Sequence, residues 1–305
     1  MIITVASGKG GTGKTTVAVS LALSMTADRQ GSAGEGPVNS ARPLFLDCDV
    51  EEPNAALFLK PVIEERKEVG RLTPQVDAGL CTYCGRCAEV CQYHAVAVVG
   101  RKVLVFPDLC HGCGSCTLNC PTGAIREVLD VMGTVERGWA GPLEFAQGTM
   151  DIGEAMAAPV IRQLKRWAIP PAADDRPIIL DASPGTSCPV VEAMRGADFV
   201  LMVTEPTPFG LHDLRLAVEV ARGELGLPVG VVINREGVGD RGVEEYCAAE
   251  GLPILLRIPL DRRIAEAYSD GVPLVEALPE YRQRFAALWD EIAARVRTAG
   301  EQPDG

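Results

Sequence analysis

"ASGKGGTGKTT", residues Ala6–Thr16, stands between a short β-branched run, "MIITVA", and the apolar-rich stretch "GKTTVAVSLALSM". Gly8, four intervening residues, then Gly13, Lys14 and Thr15 fit a phosphate-binding loop, and the flanks place it where such a loop works, between a strand and a helix. Glycines allow the backbone N–H groups of Gly8, Gly10, Gly11, Thr12, Gly13 and Thr16 to converge on phosphate oxygens, and the helix N-terminus favours negative charge there. Lys14 is expected to contact the β- and γ-phosphates, and the Thr15 hydroxyl to ligate Mg²⁺. The loop also holds Lys9, a second lysine that phosphate binding alone does not require.

The 305 residues allow two domains, or one large domain with a small insert, and an apolar fraction of 47% suffices for a buried core. A net charge of −12 leaves no basic surplus to displace counterions, so nucleic acid is not an expected partner. No apolar run approaches the ~20 residues that cross a bilayer. The N-terminal stretch lacks the basic flank and cleavage site of a signal peptide, so a cytoplasmic chain is expected.

Eleven cysteines in such a chain read as reduced and metal-binding rather than as disulfides. Eight fall between Cys81 and Cys120, while Cys48, Cys188 and Cys247 are scattered. Cys81, Cys84, Cys87 and Cys91 recur 29 residues later as Cys110, Cys113, Cys116 and Cys120, and Ala95 recurs as Ala124. A unit this small cannot hold a core alone, so its metal centres should serve as the core.

The spacing C-x2-C-x2-C-x3-C, twice over, is similar to that of bacterial ferredoxins, where the fourth cysteine of each run ligates the other cluster. That resemblance implies two 4Fe-4S clusters, one on Cys81, Cys84, Cys87 and Cys120, the other on Cys110, Cys113, Cys116 and Cys91. Structural zinc is the rival for any cysteine cluster, but it does not account for three closely spaced thiols in both runs. Gln92 follows Cys91 where Pro121 follows Cys120, a difference of backbone shape and not of ligation.

Outside the cysteine segment, "PLFLDCDV", "PIILDASPG", "FVLMVTEP", "PVGVVINR" and "PILLRIP" are short apolar runs alternating with helical stretches. They predict an α/β fold: a doubly wound, mostly parallel sheet covered on both faces. The expected division is an ATPase-type domain over 1–69 and 127–305, interrupted by a ferredoxin-like α+β domain over 70–126. "DRQGSAGEGPVNSAR", residues 28–42, reads as a polar loop with no assignable chemistry. The segment from Gly138 to Ala168 reads as a strand or loop entering a helix, and Phe285, Leu288, Trp289, Ile292 and Val296 lie at helical spacing for packing on the body.

"KGGTGKTT" resembles the deviant Walker A loop of the MinD/ParA/nitrogenase-iron-protein class of dimeric ATPases, and the likeness extends over nearly the whole chain as a member carrying an inserted ferredoxin domain. The resemblance implies ATP and Mg²⁺ as ligands, and a homodimer or related heterodimer formed on ATP binding. It implies that Lys9 crosses the dimer to the partner's nucleotide, which accounts for the second lysine, since phosphoryl transfer depends on positioned positive charge. "LFLDCDVEEPN" resembles the first switch, with Asp49 as the water-orienting or Mg²⁺-linked acid and Asp47 beside it. "IILDASPG" resembles the Walker B strand and second switch, with Asp181 holding Mg²⁺ through water. Asn234, Pro259 and Asp261 match adenine-binding positions.

Three functions are open on this reading. One is an ATPase that couples nucleotide state to electron transfer toward a redox partner or a maturing metallocofactor. The others are a carrier or assembly ATPase for iron–sulfur clusters, and a spatial organiser of the MinD or ParA kind. Against the carrier, the late part of the chain holds only Cys247 and no C-x2-C pair. Cys188, seven residues after Asp181, sits where the nitrogenase iron protein uses a cysteine, but residues 126–180 hold no second one. It is expected either to pack beside the switch or to lie near the dimer axis.

Overall fold

The computed structural model describes residues 1–26, 42–170 and 176–300, so nearly all of the 28–42 loop lies outside the described residues. Short apolar runs become buried strands because both faces of each must be covered. In chain order the strands are β1 (Ile2–Ala6), β2 (Leu44–Cys48), β3 (Val62–Val76), β4 (Val96–Val99), β5 (Lys102–Val105), β6 (Ile125–Ala140), β7 (Leu143–Met150), β8 (Ile178–Ala182), β9 (Phe199–Thr204), β10 (Val229–Glu236) and β11 (Ile254–Pro259). Nine of them form one sheet in the order β11-β10-β9-β1-β8-β2-β7-β6-β3, and β4 pairs with β5 separately. From β11 to β7 every pairing is parallel; β6 and β3 are added antiparallel.

Helices cover both faces. α1 (Lys14–Ser24), α2 (Ala55–Leu59), α3 (Arg86–Glu89), α4 (Ser115–Leu118), α5 (Ala158–Ala168), α6 (Cys188–Met194), α7 (Pro208–Val218), α8 (Gly242–Ala249), α9 (Arg262–Ser269), α10 (Leu274–Ala277) and α11 (Glu280–Gly300) follow in order. Leu21 of α1, Val275 of α10 and Phe285, Leu288 and Ile292 of α11 pack on Ile3, Val5, Phe45 and Phe145. Ile161 and Leu164 of α5, Met194 of α6, Leu214 of α7 and Val243 of α8 pack on Leu44, Leu46, Leu180 and Met202. Each such side chain stabilises the fold by about 1.5–3 kcal/mol, enough to fix both layers.

The segment before α5, read as strand or loop, is a hairpin: β6 turns at Gly141 into β7. β3 and β6 pair from Val62 with Trp139 to Val76 with Ile125, and β7 accompanies β6 only from Gly133 to Ala140. The remainder, Gly70–Val76 against Ile125–Val131, is a two-stranded arm that carries the cysteine segment. The pairing shifts register between Val69 and Gly70, where the arm leaves the sheet. Gly70 is required there, because a Cβ would collide with the Asp130 carbonyl. The expected domain boundaries, 70 and 127, thus lie inside β3 and β6.

Candidate nucleotide site and cysteine cavities

The loop between β1 and α1 turns at Gly11 and Gly13, with φ of 77° and 88°, in the left-handed region that favours glycine. Lys14, the first residue of α1, is buried, with Nζ 2.9 Å from Asp181 Oδ1 at the end of β8 and 3.8 Å from Asp49 Oδ2 beyond β2. Burial works against its charge, but Asp181, Asp49 and Asp47 outweigh this and hold the ammonium above its usual range. Asp47 accepts N–H bonds from Asp49, Asn54 and Ala55, the last two at the start of α2. Burial, reinforced by Asp181, pushes Asp47 up to about 7, and burial pushes Asp49 up to about 6 against the pull of Lys14. Asp181 Oδ2 is buried without a hydrogen-bond partner among the described residues. Three carboxylates around one ammonium, with one oxygen orphaned, fit a divalent cation beside Thr15.

Lys9 is half-buried and lies on the same subunit's Glu205, 3.0 Å from Oε2, while Arg235 pairs with the other oxygen of that carboxylate. Glu205 follows β9, the strand beside β1, so adjacency in the sheet brings it to the loop. Asn234 Nδ2 donates to the Thr12 carbonyl at 2.7 Å, tying the end of β10 to the loop. A cavity of about 370 Å³ opens beside α1, lined by Thr16, Asn234, Pro259, Asp261, Ile264 and Tyr268 among others. Polar groups at one end and apolar ones along the walls suit a nucleotide base. The Asp261 carboxylate caps α9 and is occupied by Arg263. Cys188 is exposed at the first turn of α6, while Cys48 and Cys247 are buried, their thiols pushed up by that burial.

In the cysteine segment the repeat is one of geometry as well as of spacing. Tyr83 and Gly112, Gly85 and Gly114, and His94 and Gly123 each stand 29 positions apart, and all six have positive φ. Tyr83 and His94 carry a Cβ, so their left-handed backbone costs about 1–2 kcal/mol each. In return the Tyr83 and Gly112 N–H groups donate to Cys81 and Cys110 sulfurs, and those of Ala95 and Ala124 donate to Cys91 and Cys120. At Cys120 desolvation works to raise the thiol, but the hydrogen bonds from Thr122, Gly123 and Ala124 together outweigh it and hold the thiol below its usual range.

The thiols open onto two cavities. Cys81, Cys84, Cys87 and Cys120 line one, with Val76, Val98, Val103 and Ile125. Cys91, Cys110, Cys113 and Cys116 line the other, with Leu72, Pro74 and Glu127, where the Tyr93 and His111 rings stack 3.8 Å apart. Each cavity thus gathers three thiols of one run and the fourth of the other. Four thiols around each cavity are the ligand set that a 4Fe-4S cluster takes. Val76 lies about 13 Å beyond Leu72 along β3, so the first cavity is the outer one on the arm.

Comparison with known proteins agrees with both halves of the molecule. The family model "4Fe-4S binding domain" matches residues 74–97 and 103–126. An uncharacterized protein of Methanocaldococcus jannaschii is 30% identical over 278 residues, 89% of this chain and 90% of that one. An iron-sulfur cluster carrier protein of a Synechocystis species is 25% identical, over 98% of this chain and 71% of that one. The septum site-determining protein MinD of Pyrococcus horikoshii, solved with Mg-ADP, superposes with a TM-score of 0.53 at 20% identity, over 95% of each chain; this likeness is one of fold.

Proposed function

From the premise that this chain belongs to the MinD/ParA-like P-loop ATPases and carries a 4Fe-4S binding domain, we propose that it is a nucleotide-gated iron–sulfur protein. Lys14, Thr15 and Asp181 bind Mg-ATP, Asp49 orients the attacking water, and Asn234 with Pro259 and Asp261 frames the base. Lys9 leaves Glu205 and reaches the nucleotide of a second subunit, so closure and hydrolysis depend on dimerisation. Cys81, Cys84, Cys87 and Cys120 hold one 4Fe-4S cluster, and Cys91, Cys110, Cys113 and Cys116 the other. Bound there, the clusters supply one-electron chemistry toward a redox partner or a maturing metallocofactor.

One observation carries the link between the two halves. Val50, next to Asp49, accepts from Met150 N at 2.8 Å, and Asp151 N donates at 2.8 Å to Met132 on β6. Glu154 in the same loop lies 3.8 Å from the buried Arg71 on β3, which also pairs with Asp130 at 3.1 Å. A change at Asp49 therefore reaches both strands at the base of the arm through one short loop. The test is the oxidation rate of the reduced, reconstituted protein by a small acceptor, with and without a non-hydrolysable Mg-ATP analogue. Identical rates would refute gating.

The likeness to a cluster carrier favours a second reading, delivery of the clusters themselves. Rapid iron transfer to an apo acceptor protein would select it over electron transfer.

A further inference from the structure

The duplication in the cysteine segment makes each cavity a reference for the other. Val98 and Ile125 line the outer cavity, and Glu127 and Val96, each 29 positions from its counterpart, line the inner one. Hydrogen bonds to sulfur and nearby charge both set the potential of a 4Fe-4S cluster. The hydrogen bonds are matched. At the outer cavity Tyr83 and Ala124 N–H groups donate to Cys81 and Cys120 at 3.4 and 3.3 Å. At the inner one those of Gly112 and Ala95 donate to Cys110 and Cys91 at 3.4 and 3.2 Å.

The charge is not matched. Among the described residues Glu127 is the one carboxylate that lines either cavity, and neither lining holds a lysine or arginine. Glu127 shares a face of β6 with Ile125, two residues away. Its carboxylate lies over the turn between Cys113 and Cys116, where a Cβ on Gly114 would stand 3.0 Å from Oε1. Arg126, on the opposite face, is turned to Gln75, and Arg71 is taken up by Asp130 and Glu154. No lysine or arginine among the described residues therefore neutralises Glu127. A cluster that takes up one electron gains one unit of negative charge, which a fixed carboxylate beside it opposes. Glu127 is exposed, so water and salt reduce that opposition to a bias of a few fold.

We infer that Glu127 makes the inner of the two clusters the harder to reduce, so that a single electron taken up by the domain rests at the outer end of the arm. Exchange between the two sites moves that one electron and makes or breaks no bond. Glu127 has this role only if the eight cysteines hold clusters. To that reading it adds the order in which the clusters fill and the end of the arm at which a redox partner meets the electron.

The experiment is a redox titration of the anaerobically reconstituted full chain, followed by electron paramagnetic resonance at about pH 8.5, where imidazole is neutral. Iron is counted on every variant. Two midpoints should appear, separated by about fivefold or more in the electron's distribution, which is about 40 mV at 59 mV per tenfold for one electron. Glu127→Gln should raise the lower midpoint and close most of the gap, whereas Glu127→Asp, which keeps the charge, should preserve most of it. Val98→Glu places the same charge at the outer cavity and should lower the upper midpoint, again closing the gap; the uncharged Val98→Gln should not. A single shared midpoint in the unaltered protein, a gap indifferent to Glu127→Gln, or a gap that widens in Val98→Glu overturns the role of Glu127. If Val98→Glu fails to hold iron, the two Glu127 variants decide alone. An unaltered protein without bound iron would sink the cysteine reading and this role together, whereas full iron with any of the contrary outcomes overturns the role alone.

Discussion

At the scale of single residues, two lysines in one loop have different surroundings and should fail differently. Lys14 is enclosed by Asp181 and Asp49, so its ammonium belongs to the buried site. Lys14→Ala should abolish tight nucleotide binding, measured by equilibrium titration. Lys9 makes only a half-exposed pair with Glu205, which keeps Arg235 when the lysine is lost. Lys9→Ala should therefore retain nucleotide binding but lose dimerisation with a non-hydrolysable analogue; a stable Lys9→Ala dimer in sedimentation would rule out the trans role. The acids predict a pH dependence. Asp47 is held near 7, above the roughly 3.9 of an unfolded aspartate, so the folded state keeps a proton that the unfolded state has lost. Stability should then fall as pH rises from about 4 to about 7, by on the order of a few kcal/mol, and level off above that. Thermal unfolding should show a shallower slope in Asp47→Asn, which keeps the shape of the side chain. A slope equal to that of the unaltered protein would mean that Asp47 is not the proton's holder.

At the scale of elements, what the sequence disclosed depended on whether a pattern was local. The phosphate loop and both cysteine runs are written in consecutive residues, and the apolar runs of β1, β2, β8 and β9 are continuous because they are buried on both faces. β3 is the opposite case. Residues 62–68, "VIEERKE", are all exposed on an edge strand, so neither alternation nor an apolar run marks them. Glu205 was equally hidden, since only the adjacency of β9 and β1 brings it to Lys9. The sharing of thiols between the repeats also joins distant elements, and it gives a test by pairs of substitutions. The reconstituted chain should hold about eight irons. Cys120→Ser should lower this toward four. Adding Cys81→Ser, in the same cavity, should remove little more, whereas adding Cys113→Ser, in the other, should remove most of the rest. The reverse pattern would show that each run keeps its own fourth ligand.

At the scale of the whole molecule, the question is how a nucleotide bound at the ends of the central strands β1 and β8 could alter a cysteine domain at the end of an arm. The sheet order answers part of it: β7 stands between β2, which carries Asp47 and Asp49 at its end, and β6, which forms the arm. The loop after β7 is bonded to Val50 on one side and to Met132 and Arg71 on the other. Arg71 is buried in that joint, where its guanidinium meets both Asp130 and Glu154. Coupling of this kind is shown by an element that both sites bias, not by proximity. Binding of a non-hydrolysable Mg-ATP analogue should therefore change amide hydrogen exchange in residues 69–73 and 128–132, at the base of the arm. Glu154→Gln should bind the analogue with unchanged affinity, because among the described residues the Glu154 carboxylate pairs with Arg71 and not with the nucleotide site, yet lose most of that change. Exchange at the arm's base that ignores the nucleotide in the unaltered protein would break the proposed link, whatever the clusters do. A Glu154→Gln response as large as that of the unaltered protein would leave the Val50–Met150 and Asp151–Met132 backbone bonds as the sole route.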